Sequence, residues 1–332
     1  MQVGRTGLRV SELFLGAMAF DDRDTAAAIV DRYADAGGNV IDTAVNYGAG
    51  GSERLLGELL AGRRERFVLM SKYTCSRDVA NPNAAGNHRA NLTHSLETSL
   101  RRLRTDHLDL LWVHVWDRHT PIEETMRALD DAVRAGKILY TGISDAPAWL
   151  VSRANTLAEW RDWTPFAGLQ VPYNLLRRDV ERDLIPMAKA LGISVAAWGP
   201  LAGGVLSGRF DGPNPAQGNR NPAIGPRERA VTAVVRQVAD ELDATPAQVS
   251  LAWLLSRPGS VHPLVGVSSV AQLEDNLGAV GHTLPAAAVE RLEAATEFDV
   301  GFPVDFIAAC EDPDQWVFGA AARVVSAPGT RR

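Results

Sequence analysis

At 332 residues the chain is long enough for two average domains, but barrels of alternating strands and helices also reach this length as one unit, so length alone does not divide it. Hydrophobic residues make up 46% and charged residues 22%, which excludes a disordered chain and permits a large core. The net charge of -6 and pI near 5.7 argue against a nucleic-acid role, which needs clustered excess Lys and Arg.

Arg101, Arg102 and Arg104 do cluster, but flanking Glu97 and Asp106 fit them to a solvated helix face. The opening Met1 to Gly7 has no continuous apolar core of a secretory signal, and no run of about 18 apolar residues is present to cross a membrane. A cytoplasmic enzyme is therefore expected. Cys75 and Cys310 have no CxxC spacing and no His pair nearby, so both read as incidental, with neither a disulfide nor a metal site expected.

Residues 1–12 predict a small hairpin. Short apolar runs then alternate with amphipathic stretches, the pattern of repeated β-α units and a parallel sheet. Strands are expected at 13–17, 40–43, 67–71, 108–113, 138–143, 166–169, 193–197 and 261–265. Helical patterns lie near 24–36, 52–61, 89–104, 122–135, 147–158, 179–190, 228–242 and 270–280, with an added one at 285–296 that starts at Pro285. Asp24 and Thr120-Pro121 suit helix starts, while Gly37-Gly38, Gly136 and Gly192 suit helix ends. The Gly-, Pro- and Asn-rich stretch 205–227 is too long for an ordinary connection and reads as a loop that closes over a ligand. Residues 297–332 read as a loop and tail, giving one (β/α)8 TIM barrel over the whole chain.

In a parallel barrel all strands end on one face, where polar residues gather into a site. Asp42 ends the second strand, Lys72 the third, His114 the fourth, Ser144-Asp145 the fifth, Gln170 the sixth and Trp198 the seventh, with Tyr47 in the loop past Asp42. Taken singly, Asp42 fits a loop cap, Lys72 a surface cation, His114 a satisfied core histidine and Tyr47 a packed aromatic. Together they suit acid-base chemistry: an ammonium at Lys72 lowers the pKa of the Tyr47 phenol, Asp42 balances Lys72, and His114 orients a carbonyl oxygen.

Ile41-Asp42-Thr43-Ala44, Asn46-Tyr47-Gly48, Ser71-Lys72 and His114-Val115-Trp116-Asp117 resemble, in order, the Asp, Tyr, Lys and His tetrad of the aldo-keto reductases. Gly142-Ile143-Ser144-Asp145, Gln170 with Tyr173-Asn174, Pro200 to Gly204, and Gly266-Val267-Ser268-Ser269 with Gln272 and Asn276 extend the likeness over residues 1–296. The runs at 114–117, 142–149 and 180–187 are most similar to the aryl-alcohol dehydrogenase-like branch in bacteria.

The resemblance implies NADP(H) as cofactor and an aldehyde or ketone as substrate, with Tyr47 as proton donor. It implies that Ser144, Asp145 and Gln170 hold the nicotinamide amide, Trp198 stacks on its ring, and Leu201, Gly203, Gly204 and Arg209 meet the phosphates. Gly266, Ser268, Gln272 and Asn276 would meet the adenosine end. Asp145 stands where many members have Asn, and Ser268 where some carry a base for the 2′-phosphate, which leaves Arg209, Arg220 and Ser269 as compensating candidates. Substrate contacts are expected from Tyr47, Trp116 and Tyr73. An aryl aldehyde and a nucleotide-linked keto-deoxysugar both suit aromatic walls. A regulatory NADPH-sensing subunit, similar to ion-channel β subunits, would need a partner-binding extension that the sequence lacks. The oligomeric state stays open.

Overall fold

The computed structural model describes residues 1–210 and 224–310. Eight parallel strands close into a barrel in sequence order: β1 (Phe14–Gly16), β2 (Val40–Asp42), β3 (Val68–Tyr73), β4 (Leu108–Val113), β5 (Ile138–Ser144), β6 (Phe166–Pro172), β7 (Ser194–Trp198) and β8 (Val261–Gly266). Closure is direct, since Leu15 pairs with Ile41 of β2 on one side and Val265 of β8 on the other. Between the strands run α1 (Arg23–Asp35), α2 (Gly51–Leu59), α3 (Arg89–Leu103), α4 (Ile122–Arg134), α5 (Ala148–Arg161), α6 (Leu184–Leu191), α7 (Pro226–Glu241) and α8 (Pro246–Leu255). After β8 come α9 (Val270–Leu277), α10 (Ala286–Ala295) and α11 (Val304–Cys310).

The period-2 alternation of strand side chains divides the core in two. Phe14, Val40, Val68, Met70, Leu110, Trp112, Ala196 and Leu264 form an inner cluster. Leu15, Ile41, Leu69, Leu111, Val113, Ile143, Leu169 and Val195 face outward and pack in a second, larger cluster with the helices. At the floor, Gln2 bridges Arg9 in an antiparallel hairpin whose Val3 and Val10 join the inner cluster, and the Gly4 amide donates to Ser194 Oγ at 2.7 Å.

Local chemistry sets several boundaries differently from the sequence reading. The cap of α1 is Asp22, whose carboxylate accepts from Thr25 N at 2.8 Å, rather than Asp24. The expected helix 179–190 is a short turn, Asp179–Glu181, followed by α6. The sequence reading missed α8, because Ala247, Val249, Leu251, Ala252, Trp253 and Leu254 are all buried and leave no polar face for periodicity to detect. Its capping box was the legible signal: Thr245 accepts from Gln248 N while Gln248 accepts from Thr245 N, both at 3.1 Å. The expected loop after 297 contains α11, and the loop expected at 205–227 begins within the turn Ala202–Ser207 and ends in α7. Residues 211–223, with Arg220, and residues 311–332 lie outside the described residues.

Candidate active site at the carboxyl ends of the strands

The inward parity of β2 and β3 sends Asp42 and Lys72 into the barrel, above Val40 and Met70. Both are almost fully buried, at 2% and 1% side-chain exposure, so neither charge has water to solvate it. They pair directly, and Lys72 Nζ also donates to Thr43 O at 3.0 Å while Gln170 Nε2 donates to Asp42 Oδ1 at 3.3 Å. Burial pushes the Asp42 carboxyl up against the pull of Lys72. For Lys72, burial pulls downward, but Asp42 and Tyr47 outweigh it and hold the ammonium above its ordinary value. A buried pair of this kind contributes little net stability, because desolvation of both ions offsets their attraction.

Tyr47 opens a tight turn, Tyr47–Gly50, in which Gly48 and Ala49 take positive φ of 55° and 50°. That turn returns the chain over the barrel mouth and puts Lys72 Nζ 4.9 Å from the Tyr47 ring centroid. The sequence reading expected Lys72 to lower the phenol pKa. Lys72 does pull the phenol down, but burial outweighs that pull and Asp42 adds to the rise, so the phenol lies above its ordinary value.

The His114 ring stands edge-on to Tyr47 with centroids 5.7 Å apart. Burial first, then Lys72, brings its pKa down to about 3, so the imidazole is neutral at physiological pH. Its Nδ1 lies 3.4 Å from Cys75 Sγ, and burial raises the thiol, which therefore stays protonated and able to donate. The backbone here is tied down: His114 N donates to Thr74 Oγ1 at 3.2 Å, Asn87 Nδ2 donates to Thr74 Oγ1 at 2.9 Å, and Asp117 N donates to Asn87 Oδ1 at 2.7 Å.

Across the mouth, Ser144 pairs in register with Gln170, and both are buried. Asp145 sits at φ 48°, a strained value for a residue with a side chain, and its carboxylate accepts from Trp198 Nε1 at 3.1 Å. The Asp145 carboxyl is pushed up by burial, against the hydrogen bond from Trp198. Leu201, Gly203 and Gly204 lie in and beside the turn after β7, with Gly203 and Gly204 at φ 67° and 97°. A Cβ at Gly204 would come within 2.6 Å of Arg209 Cδ, so the bare glycine forms a cradle for that arginine. Gly266 ends β8; beyond it Ser268 N and Oγ both donate to Gln272 Oε1, at 2.9 and 3.1 Å, and Asn276 is buried within α9.

Tyr73 does not join this group. Its odd parity on β3 turns it outward into the helix layer, 1% exposed, where its hydroxyl donates to Asn87 O at 3.2 Å. Trp116 is half-buried and meets the exposed Trp149 ring edge-on at 5.6 Å. Arg102 is not on a solvated face: it pairs at 3.0 Å with Glu53, which is fully buried. Cys75, expected to be incidental, lies beside His114, and its only signal in the sequence was its place three residues after Lys72.

Comparison with known proteins agrees with this geometry. The model of the aldo/keto reductase family matches residues 12–297, and the chain belongs to that family. It is 38% identical to the norsolorinic acid reductase of Emericella nidulans, over 98% of this chain and 90% of that protein. It is 35% identical to a putative aryl-alcohol dehydrogenase of Saccharomyces cerevisiae, over 92% of this chain and 88% of the relative. An aldo-keto reductase of Aspergillus calidoustus is 36% identical over 91% of this chain and 82% of its own length. The family and its relatives make the chain an oxidoreductase that reduces carbonyl groups.

Proposed function

We propose that the chain is an NADP(H)-dependent reductase that turns an aldehyde or ketone into an alcohol, with Tyr47 as the proton donor. The observation that carries this reading is the buried Lys72–Asp42 pair beside the Tyr47 ring, with neutral His114 edge-on to it. The raised phenol is protonated at neutral pH, as a general acid must be. As its proton passes to the carbonyl oxygen, the Lys72 ammonium stabilises the phenolate left behind, and Asp42 holds Lys72 in place. With the Cys75 thiol donating to Nδ1, the imidazole carries its proton on Nε2, which then donates to the same carbonyl oxygen.

The residues across the mouth fit a nicotinamide dinucleotide. When bound, the cofactor supplies the hydride that reduces the carbonyl carbon. Ser144, Asp145 and Gln170 hold the amide, Trp198 offers a stacking face kept in orientation by Asp145, and Leu201, Gly203 and Gly204 leave backbone open to the phosphates. Gly266, Ser268, Gln272 and Asn276 receive the adenosine end. Arg209, exposed in its Gly204 cradle, supplies a cation for a 2′-phosphate and favours NADP(H). Trp116 and Trp149 give the substrate an aromatic wall, which favours an aryl carbonyl, and a relative named as an aryl-alcohol dehydrogenase supports that choice.

NADPH oxidation against aryl aldehydes, alkyl aldehydes, ketones and keto-sugars tests the reading, with the highest kcat/KM expected on an aryl carbonyl and tighter binding of NADPH than NADH. In Tyr47→Phe the rate should fall by roughly 10²–10⁴ with cofactor affinity unchanged. Near wild-type turnover in that variant would overturn the mechanism. NADPH binding with no turnover on any carbonyl would favour a regulatory role instead.

A further inference from the structure

We propose that Arg102 is a positioning residue for Tyr47: it grips the backbone of the turn that carries the phenol and ties that turn to the strand that carries Lys72. The inference rests on the reading of Tyr47 as proton donor. Arg102 lies in the last turn of α3, far from the barrel axis in sequence, yet its side chain is only 22% exposed. Its Nη1 donates to Val45 O at 2.8 Å, two residues before Tyr47, and to Glu53 Oε2 at 3.0 Å. The other oxygen of Glu53 accepts from Ser71 Oγ at 2.8 Å, and Ser71 precedes Lys72. One guanidinium and one carboxylate thus connect the Tyr47 turn, α2 and β3.

Two glycines make this reach possible. Gly50 ends the Tyr47 turn at φ 85°, and a Cβ there would lie 2.3 Å from Arg102 Cζ, so the guanidinium packs flat against bare backbone. Gly57 in α2 would place a Cβ 2.2 Å from Arg102 O, so only glycine lets α3 approach closely enough. A parallel link holds the other end of the same segment, where Thr43 Oγ1 and Ser52 Oγ are 2.7 Å apart and Ser52 Oγ donates to Ala17 O at 2.8 Å. The carbonyl of that same Thr43 accepts from Lys72. Acid and ammonium are therefore mounted on one buried polar frame, and a shift of about 1 Å in such a frame is enough to cost a large factor in rate.

Arg102→Lys is the variant that tests the idea. It keeps the charge opposite Glu53, but its ammonium is one atom shorter and lacks the plane that packs on Gly50, so Val45 O is released. The expected result is a fall in kcat of about tenfold, with NADPH affinity unchanged and KM nearly constant. The decisive measurement is the same substitution in a Tyr47→Phe background, because groups acting as a unit are non-additive. There Arg102→Lys should cost no further rate. Equal fractional losses in both backgrounds, or a kcat loss that only follows the fraction of folded, NADPH-binding protein, would overturn the proposal. Failure of Tyr47→Phe alone to lose rate would instead bring down the reading of Tyr47.

Discussion

Two histidines point into the barrel, His114 at the mouth and His262 at the floor, and their surroundings separate the candidate site from the core. His262 is fully buried, stacked on Phe14 at 4.5 Å, with Nδ1 donating to Glu12 O at 3.3 Å and Nε2 without a partner among the described residues. His114 is less buried, and its neighbours are a thiol, a phenol and an ammonium. Burial keeps both neutral, yet among the described residues only His114 has a thiol, a phenol and a lysine ammonium beside it. The floor is closed by apolar contact between the hairpin and the strands, while the mouth places charges where they stabilise the fold least.

Removing one partner of the mouth pair should have the largest effect. Lys72→Met leaves the Asp42 carboxylate buried alone and should cost roughly 3–5 kcal/mol in urea unfolding, besides the loss of activity. Lys72→Met with Asp42→Leu should regain most of that stability and remain inactive. A double variant as unstable as the single one would mean that the pair serves the fold rather than the chemistry.

The floor gives the next effect through pH. Desolvation lowers the His262 pKa from 6.5 to about 4, with the N-terminal ammonium adding to the shift and hydrogen bonds to backbone opposing it. Between those values the unfolded chain binds a proton that the folded chain excludes, so stability falls as pH drops from 6.5 towards 4. The loss should approach about 3 kcal/mol. His262→Phe keeps the stacking and should flatten this part of the profile, leaving the same-signed share of His114. An unchanged slope would assign the acid sensitivity to the mouth alone.

A smaller effect distinguishes Cys75 from an incidental cysteine. Cys75→Ala removes the thiol that faces His114 Nδ1 at 3.4 Å and should lower kcat by up to about tenfold, with Cys75→Ser keeping most of it. Equal rates for both variants would leave the His114 tautomer independent of residue 75. Asp145→Asn should matter least, changing NADPH affinity by less than about threefold, because Asn keeps the acceptor for Trp198 and tolerates positive φ. Asp145→Leu should weaken binding more, and fluorescence titration of the two variants separates hydrogen bond from charge.

The order of β-α units, the eight strands and the tetrad positions were legible because each depends on local pattern: short apolar runs, polar residues at strand ends, and a Tyr after Asp42. Parity along β3 was legible too, since Lys72 inward requires Tyr73 outward, and applying it strictly would have removed Tyr73 from the substrate residues. The helix α8 was hidden because a helix buried on every side has no amphipathic period to read.

By itself the sequence determined which polar residues gather and which end of the barrel they share, because strand direction and alternation follow from the chain alone. Tertiary structure decided what those residues are worth. The direction of the Tyr47 shift depends on how much burial outweighs one ammonium 4.9 Å from its ring. The grip of Arg102 on Val45 depends on two helices meeting at Gly57. The thiol of Cys75 reaches His114 only because β3 and β4 lie side by side. Desolvation and contact between distant segments are sums over the packed neighbours of an atom, and no local pattern in the chain encodes that sum.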